Sequence, residues 1–145
     1  MSLQSWLRNG WLSKHLSSRQ EISGLLTIVD RDLAECEISG LSPDWRLNIA
    51  YNAALQAATI ALAATGYRAT RESHHYRIIQ SLAYTIGADP KVILQFDRFR
   101  KKRNIAEYEL AGTVSEQEAD EMVILAKHLR TLVQDWLQRN YSAIL

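Results

Sequence analysis

Residues 42–66, SPDWRLNIAYNAALQAATIALAATG, decide the fold. Ser42 offers a side-chain acceptor at a helix N-cap. Pro43 follows at the first helical position, where a missing N–H costs nothing. Alanine then recurs at Ala50, Ala53, Ala54, Ala57, Ala58, Ala61, Ala63 and Ala64, with few charges after Arg46. Apolar residues therefore run nearly all the way round. Such a helix is buried on most sides, and its small residues let neighbouring helices approach closely. The segment reads as the central helix of its domain. Asn52, Gln56 and Thr59 are polar groups in this wall and require partners. Gly66 ends the helix at C′.

On the N-terminal side, Ser17 or Ser18 can cap a helix over 17–38, with Gln20 or Glu21 reaching back. Its stripe is Ile22, Leu25, Leu26, Val29, Leu33 and Cys36; Arg19, Asp30, Arg31 and Glu35 lie on the solvated side. Before it, residues 1–16 form an extension with a short helix interrupted at Asn9-Gly10. Its Trp6 and Trp11 need a surface, either the body of this chain or a second subunit. On the C-terminal side, 66–72 reads as a polar connection and 72–86 as a third helix starting at His74 and His75. The last helix spans about 115–140 behind a capping box at Ser115–Glu118, with Tyr141–Leu145 as a frayed or docked tail. No alternating strand pattern is visible. The expectation is an all-α fold: an antiparallel bundle of four to five helices over residues 17–145.

At 145 residues the chain fits one domain with a proper core. Its net charge of +1 makes it no polycation, so any nucleic-acid affinity must be local. The single cysteine, Cys36, forbids an intrachain disulfide, which fits a cytoplasmic location, and its apolar context marks a small core residue. No run reads as a membrane span, and the start predicts no signal peptide.

The local charge lies in residues 89–110, DPKVILQFDRFRKKRNIAEYEL. Asp89-Pro90 repeats the cap-plus-proline start, and Val92, Phe96, Phe99 and Ala106 mark an apolar stripe. Arg98, Arg100, Lys101, Lys102 and Arg103 place five cations in six residues. They are the candidate binders of a nucleic-acid phosphate; the alternative is a solvated face with snorkelling stems. Arg103 is different, because it falls in line with Val92 and Phe96. A guanidinium stays charged and is expensive to bury unpaired, so Arg103 must meet a carboxylate, a cleft or a subunit seam.

Other chemistries find no support. There is no Gly-rich phosphate loop, Cys-x-x-Cys or nucleophile elbow, and no repeated Glu-x-x-His set. His74 and His75, as helix neighbours, point about 100° apart and chelate one metal poorly. Neither a metal nor another cofactor is expected.

The alanine-rich helix ending in Gly66-Tyr67, the histidine-bearing third helix and the run Arg103-Asn104-Ile105-Ala106-Glu107-Tyr108 together resemble the HEPN domain family. The resemblance covers roughly residues 17–140. It implies a small helical bundle of the kind encoded in toxin–antitoxin and defence loci or beside nucleotidyltransferases. Ribonuclease members carry an arginine, commonly followed by a polar residue, with a histidine after a spacer of four to six residues. Two such motifs meet across a homodimer in a metal-independent site. Arg103 matches the arginine and Asn104 the polar residue, but Tyr108 stands where the histidine belongs. An ordinary tyrosine is an inefficient base near neutral pH, although it can donate to a phosphate or stack on a nucleobase.

The resemblance thus implies a catalytically degenerate homodimer that binds RNA or a nucleotide, with a cognate antitoxin or nucleotidyltransferase as partner and no membrane. Two alternatives stay open. One is an active endoribonuclease using Arg103, Asn104 and Tyr108, with His74 or His75 supplying an imidazole. The other is a structural interaction bundle, in which Arg103 merely pairs with an acid such as Glu107.

Overall fold

The computed structural model describes all residues, Met1–Leu145. Six helices follow one another: α1 (Leu3–Arg8), α2 (Arg19–Glu35), α3 (Pro43–Ala64), α4 (His74–Ser81), α5 (Pro90–Tyr108) and α6 (Glu116–Asn140). A 3₁₀ turn, Ser142–Ile144, closes the chain. The fold is the all-α bundle that the sequence predicts.

The hub is α3. Ala50, Ala53, Ala54, Ala58 and Ala61 have no exposed surface, so α2 and α6 pack directly against its backbone ridge, and α4 and α5 cover the rest. At 22 residues, and with a mean hydropathy of 1.2 over an 18-residue window, α3 has the length and apolarity of a membrane span, contrary to the expectation from sequence. Yet 67% of that apolar window is buried within the molecule, as befits a core helix.

Caps set the helix starts. Ser42 accepts from the Trp45 amide, and Asp89 from the Lys91 amide. Ser115 and Glu118 form the reciprocal box at 3.0 Å in each direction. The Ser115 amide, aided by Lys102, holds the Glu118 carboxyl below its ordinary pKa. At α2 the outcome differs: Ser18 caps, but the Glu21 carboxylate turns away to His15, 2.7 Å distant. Asp30, expected to be solvated, reaches Arg130 of α6 at 2.9 Å. Cys36 is fully buried, and desolvation raises its thiol pKa, as expected of an inert core residue.

Two strands, β1 (Leu12–Lys14) and β2 (Tyr67–Ala69), depart from the expected connections. They pair antiparallel, Leu12 opposite Ala69 and Lys14 opposite Tyr67. Three residues per strand are too few for a legible alternation. Gly66, at φ +96°, turns the chain out of α3, and its carbonyl accepts from the His15 amide at 2.9 Å. This pairing knits residues 1–16 into the body. Trp6 is buried there, edge-on to Tyr84 at 5.4 Å, and the Arg77 guanidinium lies 3.6 Å from the centre of the Trp11 ring. The chain itself therefore covers Trp6 and supports Trp11. The tail is docked: Tyr141 packs on Trp136, and the Leu145 carbonyl accepts from Arg19.

The third helix ends at Ser81 rather than at 86. Ser81 Oγ donates to the Ile78 carbonyl at 2.6 Å, and the Leu82 amide bonds to Ile79, so the last turn tightens into the segment before Gly87.

Asn52 finds its partner in α2. Its amide donates at 2.6 Å to Asp32, a buried carboxylate that also accepts from Arg31. Replacing Asp32 with alanine strands the amide in the α2–α3 seam. The expected loss is about 1–3 kcal/mol of unfolding free energy, read by urea denaturation. Asp32→Ala/Asn52→Leu should recover part of that loss.

Candidate functional site

The N-terminus of α4 faces the C-terminal half of α5 across a cleft of about 450 Å³. His74, His75 and Tyr76 line one wall, and Arg100, Arg103, Asn104 and Tyr108 the other. Ser73 forms the bend, at φ 52°, as the sole non-glycine residue with positive φ. A left-handed serine costs about 1–2 kcal/mol, and here it sets the angle at which the two histidines enter the cleft.

Arg103 lies half-buried, with its guanidinium among acceptors. Nε donates to Asn48 Oδ1 at 3.1 Å, Nη2 meets Glu107 Oε2 at 3.1 Å, and Nη1 reaches Asn104 Oδ1 at 3.5 Å. Its charge sits 5.5 Å from the Tyr51 ring centre and 5.9 Å from that of Tyr108. The expected carboxylate, Glu107, and the expected cleft are thus both present. Three of the five N–H donors of a guanidinium have acceptors, which leaves two for a ligand. On its other flank Arg103 lines a second hollow of about 320 Å³ with Trp45 and Asn48.

Arg100 is steered by Asp97, whose Oδ1 accepts from its Nε at 2.7 Å. Asp97 is buried and also meets Lys101 at 3.6 Å. These contacts split the basic run. Arg100 and Arg103 enter the cleft. Arg98 and Lys102 line a different groove beside α6, where Lys102 pairs with Glu118 at 3.5 Å. Lys101 is exposed. The five cations expected to bind phosphate together do not share one surface, because successive helix positions rotate away from each other.

Both histidines expected as accessories are in the cleft. His75 Nδ1 lies 3.2 Å from the hydroxyl of Tyr51, which is buried in the α3 wall. With the ring neutral and its proton on Nε2, Tyr51 donates to Nδ1. Burial also raises the phenol pKa of Tyr51, so it remains a donor. Burial lowers the His75 pKa, and the charges of Arg103, His74 and Arg100 lower it further. The folded state thus disfavours the proton that unfolded His75 accepts near pH 6.5. Stability is complete above that pH and falls as pH drops through the unfolded and then the lowered folded value. Urea denaturation should show this fall, and His75→Gln should flatten it.

Tyr51, Asn48 and Asp97 support the candidate site through His75, Arg103 and Arg100, and the sequence reading missed them. Asp97 carried a signal, since it precedes Arg100 and Lys101 by three and four residues. Tyr51 carried no signal beyond being an aromatic hydroxyl in an alanine wall. Chemically, the arrangement offers paired guanidiniums for an oxyanion, an amide beside them and a neutral imidazole fixed by a buried phenol. No family model, curated protein or solved structure matches this chain.

Proposed function

We propose that this chain is a HEPN-like homodimeric module that binds RNA or a nucleotide through phosphate, with its ribonuclease chemistry degenerate. The setting is a cytoplasmic toxin–antitoxin, defence or nucleotidyltransferase-associated system, with the cognate antitoxin or nucleotidyltransferase as partner. The observation that carries this reading is the meeting of Arg100, Arg103 and Asn104 with His74 and His75 in one cleft. A guanidinium fork matches phosphate geometry, and the half-buried setting weakens competition from water. Tyr108 of the cleft is exposed, as are Ile105 and Leu110 close to it in sequence, apolar groups suited to a second copy.

A second reading, an active metal-independent endoribonuclease, is favoured by His75. Its imidazole stands in the cleft although Tyr108 occupies the motif position. Its lowered pKa keeps it neutral at pH 7, and it serves as a base in the tautomer whose Nδ1–H donates to the Tyr51 oxygen and leaves the Nε2 lone pair free. In that case Arg103 stabilises the developing charge on phosphorus, Asn104 orients the phosphate, and His75 or Tyr108 handles protons.

Incubating the purified protein with tRNA or mRNA in EDTA, beside Arg103→Ala and His75→Gln, separates the two. Binding without cleavage supports the first reading. Cleavage lost in both variants supports the second. Failure to bind RNA even at low salt discards both and leaves a structural interaction bundle.

A further inference from the structure

We propose that the cavity beside the two-stranded sheet receives a nucleobase of the same single-stranded ligand whose phosphate rests on Arg103. This deepens, and rests on, the phosphate reading of the α4–α5 cleft. The cavity holds about 730 Å³ between α2, α3, α4 and the two-stranded sheet. That is ample for a base and its sugar, since small-molecule sites run from about 300 to 1,000 Å³.

Its lining combines the two kinds of surface a base requires. Leu25, Leu62, Ala63 and Ile78 give apolar surface, and Tyr67 of β2 adds an aromatic ring. Base faces make no hydrogen bonds and stack on such surfaces. Polar groups complete the lining. His15 Nε2 lies 2.7 and 2.9 Å from the two carboxylate oxygens of Glu21. Thr59 spends its proton on the Leu55 carbonyl and keeps lone pairs for an incoming donor. Base edges present donors and acceptors of that kind. Glu21 is the sole acid in the lining and is already paired, while Arg68 and Arg71 add positive charge. The balance suits a polyanion.

The link to the phosphate cleft is His74, which lines both spaces. A nucleotide carries its base and its phosphate on different sides of one sugar. Two unlike sites that share His74 match that layout: a hollow with apolar and polar lining on one side and two guanidiniums on the other. The substrate class is therefore single-stranded nucleic acid with an unstacked base, rather than a duplex, whose bases are not free to enter a pocket.

The test uses the full chain and two labelled probes in an anisotropy titration: a short single-stranded RNA and an abasic oligonucleotide of equal length. Leu25→Trp fills the cavity from the half-buried face of α2. It should weaken RNA binding about tenfold, the scale of one stacked base, and leave the abasic probe unchanged. Arg103→Gln should weaken both probes. Because a new tryptophan can disturb folding, 4-thiouridine RNA is also photocrosslinked to the unmodified protein and the adducts are mapped. Adducts at Tyr67 or His15 support the proposal. Adducts confined to α5, or a Leu25→Trp variant that binds RNA like the parent while Arg103→Gln does not, overturn it and leave the phosphate reading intact. Both probes indifferent to Arg103→Gln would remove the phosphate reading, and the joined site with it.

Discussion

Replacing Phe96 with alanine is expected to lower the unfolding free energy by about 3–5 kcal/mol, the largest stability effect of any substitution near the cleft. Phe96 has no exposed surface and meets the Tyr51 ring edge-on, with centroids 5.6 Å apart. Its loss removes a large apolar group from water-free surroundings and leaves a cavity that the rigid α3 wall cannot fill. The apolar anchors of α5 are few, only Ile93, Phe96 and Phe99 being buried, so no neighbour can take over the role. Two further losses follow. Tyr51 gives up an aromatic contact worth about 0.5–1.5 kcal/mol beyond its buried area. Arg103, two turns along the same helix, loses the seating that places it beside Asn48. Urea denaturation reads the first effect, and RNA titration of the folded fraction reads the second. A loss of less than about 1.5 kcal/mol would mean that the seam collapses around the gap and that Phe96 is no keystone of α5.

Arg103→Gln is expected to reduce RNA affinity by about tenfold to a hundredfold while barely touching stability. Hydrogen bonds to a charged group contribute about 1.5–3 kcal/mol, which sets that range. Glutamine still reaches Asn48 by a neutral contact but cannot present a cationic fork. The stability cost stays below about 1 kcal/mol because the Arg103–Glu107 pair is partly solvated. The salt dependence of binding should also become shallower by about one unit of the log–log slope, one phosphate contact having gone. Lys101→Gln is the control. Lys101 is exposed outside the cleft, so its loss should change affinity only slightly. Equal effects from Lys101 and Arg103 would replace the cleft with diffuse attraction to a basic helix.

The bundle was largely written in local chemistry. Ser42-Pro43, Asp89-Pro90 and the Ser115–Glu118 box announce helix starts because a cap is settled within one turn of chain. The alanine wall announces the hub because a helix with no polar face has nowhere to go but inside. The odd position of Arg103 was equally legible, since a permanent charge in an apolar line must find company.

Most of the missing features depend on partners distant in sequence. The β1–β2 pair joins residues more than fifty positions apart through strands too short to announce themselves. That neighbouring cations point apart on a helix is local, but which of them face α4 and which face α6 needed the packing of α5, which no window of ten residues contains. Tyr51 and His75 meet because α4 starts from a left-handed serine and lands on α3. The sequence by itself therefore determined the helices, the central one among them, and the arginine that demanded an acceptor. Only the tertiary structure decided which cations share a cleft, which histidine is held neutral there, and that a large mixed cavity adjoins it. The physical reason is reach: caps and periodicity act within a turn or two of chain, whereas burial, ion pairing and cavity shape are set by segments that meet only after the chain has folded.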